Sequence, residues 1–378
     1  MGNIALGRES QAFVVPEVVA GTIVEPGATD LVLSVTTPQV VQERENFPDE
    51  QIRNTRSKLS PIAGRYKAGT WSFQTYIKPV SAGVAPAEDD LLTGLLGTKT
   101  SDATSVTYTP SASDPASYSL WFKDGHTVYM CSGCTVDKGI FRINGKDPGK
   151  AEWSGGLMKM LHTGTDVLGA AITDTTSTSI TPTDVKLFSV GSIFTVDSER
   201  MKVTAVGVST LTVTRGYGGT SPATHLISVT MTPWLPTGTE SGNIVHGRLG
   251  ICTLDAVNYT VLTTEVTITN GIKYYEEEMN NQDYATDFGV PVPRNVEGKI
   301  TLYFRKGDAA RFADAKDFNS LAVIIPLGNV TGKICTITLA QAKIAAPNIT
   351  GDTERVQELT LMPFATSSYN DEISIKYT

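Results

Sequence analysis

The 378-residue sequence predicts a mainly β protein, and three observations carry the prediction. Ten segments are rich in Val, Ile, Thr and aromatic residues and are bounded by Gly, Pro, Asn or Asp, which suits pleated, half-buried ladders. Only two short segments have the marks of helices. The order of strands and helices in the first half returns in the second, on either side of a stretch with a different composition.

In the first half the strands are LVLSVTT (31–37), TWSFQTYIKP (70–79), YSLWF (118–122) and HTVYMCSGCTV (126–136), closed by a strand in KAEWSGGLM (150–158). The helix is AEDDLLTGLLG (87–97), with acids in its first turn, leucines at 91, 92, 95 and 96 on one face and a glycine at its end. The second half repeats the series with EVTITNGI (265–272), KITLYF (299–304), a helix over 309–318, LAVIIPL (321–327), ICTITLAQAKI (334–344), VQELTLMPF (356–364) and EISIKY (372–377). For that second helix Asp308 is the expected N-cap and Phe312 the expected apolar anchor. The divisions expected are 1–165, 166–238 and 239–378. The middle one, rich in Thr, Ser, Val and Gly, reads as a small all-β module with glycine turns.

Each half contains one long polar stretch between strands. In the first it runs ENFPDEQIRNTRSKLSPIAGRYKAGTW (45–71), with no steady apolar period of either kind. Structureless loops of this length are uncommon inside compact domains, so this one is expected to have a function. From Arg44 to Lys67 six basic residues face three acidic ones. From Glu276 to Glu297 the balance reverses, with six acidic residues against Arg294. Opposite charges of this kind favour a meeting of the two loops across a subunit contact.

Net charge is −8, with 15 basic against 17 acidic residues over 1–165, 4 against 5 over 166–238 and 12 against 17 over 239–378. That balance excludes a surface that grips nucleic acid or anionic membrane by counterion release. The N-terminal MGNIALGRESQAF has neither the basic start nor the apolar run of a secretory signal, and Leu6 stands where a myristoylation pattern needs Ser or Thr. No stretch approaches a membrane span, so a chain without a membrane anchor, made in the cytoplasm, is expected.

Signs of catalysis are missing from the sequence. His126, His162, His225 and His246 fall in no metal-binding spacing, and GxSxG, Walker and calcium-loop patterns do not occur. Cys131 and Cys134 have a ligand-like spacing without a second pair, and they read as thiols on a buried strand. GYGGTS (216–221) lacks the lysine of a phosphate cradle. The cluster Glu276, Glu277, Glu278, Asp283 and Asp287 fits no calcium loop and reads as a solvated surface, an interface or a lumen lining. No enzyme activity, cofactor or metal is expected.

The 45–70 loop running into GTWSFQTYIKP, the DDLLTGLLG helix, RNVEGKITLYFRKGDAARF and the closing TSSYNDEISIKY resemble the pattern of major tail tube proteins of long, flexible-tailed bacteriophages. The likeness covers about 300 residues outside the middle module and rests on order and texture. It implies two tandem β-sandwich or barrel domains, each with one short helix. It also implies subunits that join into rings, and rings that stack into a hollow tube of the virion tail through which genomic double-stranded DNA passes without being held. The loop would reach the adjoining ring, with Phe47 and Tyr66 as anchors and Arg53, Arg56, Lys58 and Arg65 meeting an acidic neighbour. Three chains per ring would give a pseudo-sixfold assembly, with six chains as the alternative. Other partners implied are a tape measure protein and the proteins at the tail ends. The middle module would decorate the exterior, with Trp234 and Tyr217 as stacking candidates for carbohydrate. The alternative reading is a β-rich receptor-binding or adhesin protein of the virion tip.

Overall fold

The computed structural model describes residues 9–51, 57 and 59–378. The first half comprises β1 (Gln11–Pro16), β2 (Leu31–Val32), β3 (Gln39–Val41), β4 (Arg44–Phe47), β5 (Ile62–Tyr66), β6 (Gly69–Tyr76), α1 (Asp89–Leu96), β7 (Gly97–Ser101), β8 (Val106–Pro110), β9 (Tyr118–Asp124), β10 (Thr127–Cys134), β11 (Lys138–Asn144), β12 (Lys150–Leu157) and β13 (Lys159–Gly164). β1 has four consecutive buried residues, Ala12 to Val15, because it is covered on both faces while pairing with β9 and β2. The strand expected over 31–37 is shorter: only Leu31–Val32 stays on β1, and Ser34 already bridges to Thr75. In α1, Leu91, Leu92, Leu95 and Leu96 are fully buried. Gly97, at φ 95°, ends the helix in a conformation that other residues take only under strain.

The middle module comprises β14 (Asp166–Val167), β15 (Ser179–Ile180), β16 (Ile193–Val196), β17 (Glu199–Val206), β18 (Leu211–Thr214) and β19 (Thr230–Pro233), in the sheet order β14-β19-β16-β17-β18-β15. It has its own hydrophobic cluster, centred on Phe188, Phe194, Met201 and Met231. Its entry strand β14 pairs with its exit strand β19, so chain enters and leaves at one place.

The second half comprises β20 (Cys252–Leu254), β21 (Val257–Tyr259), β22 (Val261–Thr269), β23 (Lys273–Tyr275), β24 (Asp287–Gly289), β25 (Asn295–Tyr303), α2 (Ala310–Asp317), β26 (Leu321–Leu327), β27 (Cys335–Ile344), β28 (Asn348–Thr350), β29 (Val356–Pro363) and β30 (Ser374–Tyr377). β25 alternates buried and exposed along its whole length, as a strand with one covered face must. The helix is where the sequence put it, but its expected anchoring is not. Ala309 is the N-cap, Asp308, one residue before it, accepts from the Arg305 amide instead, and α2 buries none of its residues fully.

Strand pairing makes the internal repeat explicit. Taking β12 and β13 as one strand bent at Met158, the first half runs β2-β1-β9-β10-β13/β12-β6-β3. The second runs β21-β20-β26-β27-β29-β25-β22. β11 lies beside β12 as β28 lies beside β29. The halves are not separate bodies, however: β11 pairs with β22 from Lys138↔Thr269 to Asn144↔Thr263, and β30 reaches back to pair with β8. One hydrophobic core continues through both, from Trp71, Phe141 and Trp153 to Ile300, Ile337 and Leu361. No helix among the described residues is long and apolar enough to cross a membrane.

Candidate functional site

The 45–71 stretch is structured at both ends, where β4 and β5 form an antiparallel ribbon that leaves the main sheet. Phe47 lies over Gly64, where a Cβ would come within 2.6 Å of its ring. Phe47 is still half exposed, as are Leu59 and Ile62. Arg53, Arg56 and Lys58 lie outside the described residues.

The base of this ribbon holds the acidic loop of the same chain. Arg65 donates Nε to the Gln282 carbonyl (2.7 Å), Nη1 to the carbonyls of Glu276 and Glu278 (2.7 Å to the latter), and Nη2 to Asn280 Oδ1 (2.6 Å). Tyr66 stacks on Tyr284 with ring centroids 4.9 Å apart and planes within 5°, and its amide donates to the Asp283 carbonyl. Arg44 covers the ring of Tyr66, and Lys159 that of Tyr284. The Ala68 amide donates to Glu276 Oε1 at 2.8 Å. The meeting expected across a subunit contact is therefore made within one chain for Arg65 and Tyr66, and mostly through backbone carbonyls. Charge pattern identified the two loops but not the atoms, because a turn that aims several carbonyls at one point leaves no compositional mark. Among the described residues, Glu276 is the acidic residue whose carboxylate accepts from the ribbon segment, through the Ala68 amide. Glu278 instead accepts from Asn280 and Thr286, and Asp287 starts β24.

The second feature is the junction of the halves. Arg142 on β11 bonds Glu265 on β22 (2.8 Å) and Glu152 on β12, and its hydrogen bond to Glu265 raises it above an ordinary guanidinium. Beyond the ladder, Asn270 Nδ2 donates to the carbonyls of Leu95 (2.9 Å) and Val136 (3.1 Å). Arg294 bonds Asn270, Glu372 and the Ser111 carbonyl. The end of α1 is thus closed by residues flanking β22 and β25, around a cleft of about 580 Å³.

Other residues singled out in the sequence have structural positions. Cys131 and Cys134 are buried free thiols at a bulge in β10. Burial, with Cys131 beside it, pushes the Cys134 thiol well up. Arg200 lies 4.5 Å over the ring of Trp234. The Tyr217 hydroxyl donates to Glu25 in the first half, beside Lys202. Both stacking candidates thus have partners within the chain.

Sequence reasoning missed Glu199, which is fully buried on β17. Its carboxylate accepts from Arg215 Nε (2.7 Å) and Nη2 (2.8 Å), from the Gly216 and Ala223 amides and from His225 Nε2 (2.9 Å), while His225 Nδ1 meets Asp197 Oδ2. Burial alone would push this carboxyl up, but the hydrogen bonds from Arg215 and His225 outweigh it and hold it at about 2. The network fastens the 215–225 loop to β17. Among the described residues no group of three His, Cys, Asp or Glu is placed to hold a metal ion.

No family model matches the chain, and no curated protein matches it in sequence.

Proposed function

We propose that the chain is the structural subunit of a bacteriophage tail tube, self-assembling into stacked rings around a conduit for double-stranded DNA. The observation that carries the reading is the head-to-tail sheet junction between two like halves. β11 of the first half pairs with β22 of the second, and a head-to-tail contact leaves one matching edge unused at each end. Such contacts either close into rings or run on as filaments, and a tube does both. Exposed strand edges endanger a monomer, whereas a ring pairs each with the next copy. The resemblance of the quoted segments to tail tube proteins supports the same reading.

Two half-sized units per chain favour rings of three chains over rings of six. An acidic wall suits the role, because phosphate slides past carboxylates without binding. The middle module, with its own core and a single entry and exit, fits an exterior decoration. A tape measure protein and tail-end proteins would complete the partners, with the virion tail as the destination.

Light scattering on the purified chain across a concentration series tests this. Growth above a threshold concentration into species of unbounded mass is the expected result. A single closed oligomer at every concentration would favour the receptor-binding alternative.

A further inference from the structure

The internal junction is a template for a second one. In the observed contact, the strand beside β12 offers its far side to the outermost strand of the following half. The pairing order of the two halves identifies the counterparts: β28 corresponds to β11, and β3 corresponds to β22. Among the described residues β28 pairs with β29 alone and β3 with β6 alone, so each has one free edge. Both show an exposed–intermediate–exposed pattern over three residues.

The two helices provide a second, independent observation. α1, whose end is closed by the Asn270 and Arg294 segments of the following half, buries its leucines completely. α2 occupies the same place in the repeat and buries no residue fully: Ala315 packs against the core, while Phe312 is 39% and Phe318, its C-cap, 59% exposed. Met362 on β29 is also exposed, at 42%, whereas the facing end offers Val41 at 53%. Two phenylalanines left exposed, on α2 and at its C-cap, in the half that has no following half are what a missing neighbour would produce.

We infer that β28 and the exposed phenylalanines of α2 and its C-cap in one chain receive the β3 edge of a second copy, repeating the β11–β22 junction between chains. This rests on the tube-subunit reading and specifies its contact. The ladder gives the contact its direction, since only a β3-type edge follows a β28-type edge. Phe312 and Phe318 add apolar area that water no longer covers.

Cysteine trapping tests the inference, since the four native cysteines are buried. Double variants combine Gln39→Cys or Val41→Cys with Asn348→Cys or Thr350→Cys, giving four pairs on the exposed positions of both edges. Facing strands bring Cα atoms within disulfide reach. Val208→Cys, at a fully exposed site on the module, replaces the β3 position in a control. In parallel, Phe318→Asn, which tolerates the positive φ of 55°, is combined with Phe312→Gln. Expected are ladders of disulfide-linked multimers from at least one edge pair, none from the control, and a rise of at least about tenfold in the assembly threshold of the phenylalanine variant. Wild-type assembly with no ladder from any pair and an unchanged threshold would overturn the proposed contact while leaving the tube reading in place. No assembly of the wild-type chain at any concentration would overturn both.

Discussion

Glu88, at the N-terminal end of α1, is only 1% exposed, and Lys78 beside it already bonds Glu240. Burial raises its carboxyl from 4.5 to about 7. An acid whose folded value lies above its unfolded value contributes fully below pH 4.5 and loses that contribution as pH rises through about 7. The displacement is worth about 3 kcal/mol, at about 1.4 kcal/mol per pH unit. Glu88→Gln keeps the shape and cannot ionise, so its stability relative to wild type is expected to improve by about 3 kcal/mol between pH 4 and pH 8. Taking this difference of differences removes the constant cost of burying an amide. It also removes Asp90, raised to about 6 mainly by burial, which titrates in both proteins. Urea unfolding at pH 4, 6 and 8, followed by tryptophan fluorescence, reads it directly, since Trp71 and Trp153 are buried in the same core. Parallel pH profiles for the two proteins would refute the reasoning.

Three further predictions concern the loops and the module. Arg65→Ala removes four hydrogen bonds from the clasp, about 3 kcal/mol of local stability at about 1 kcal/mol each with some loss to solvent. The Tyr66 amide should then exchange roughly 100-fold faster while amides of β6 keep their protection, as measured by hydrogen exchange. Replacing 48–61 with a tight turn keeps the β4–β5 ribbon, and the variant is expected to fold with wild-type thermal stability yet stop at single rings in sedimentation velocity. Replacing 166–238 with a short glycine linker is expected to spare assembly, because β14 and β19 are neighbours at the base of the module. Loss of polymer in light scattering would assign the module to the tube wall.

The fold was legible where local chemistry decides it. The leucine spacing and acidic first turn of α1, and the alternation along β6, β25 and β27, place those elements within a few residues of where they lie. β1 escapes sequence reading because a short apolar run has no period to distinguish it, and its long ladder partner, β9, is about 100 residues away. The contact through β11 and β22 was missed for the same reason, since a ladder partner leaves no mark in either strand's own sequence. α2 was located by its helical segment but misjudged in its packing: Phe312 reads as an anchor only if something covers it. At the clasp, charge patterning found both loops, whereas the receiving atoms are main-chain carbonyls that composition does not encode. Gly155 is a similar case: a Cβ there would sit 1.8 Å from the Thr135 carbonyl, a constraint visible only once β12 passes that turn.

Negative-stain electron microscopy of the purified full chain above its assembly threshold tests the central claim most directly. Hollow tubes of uniform width with a stain-filled bore are the expected result. Solid fibres, discrete compact particles or dispersed monomers under those conditions would contradict it.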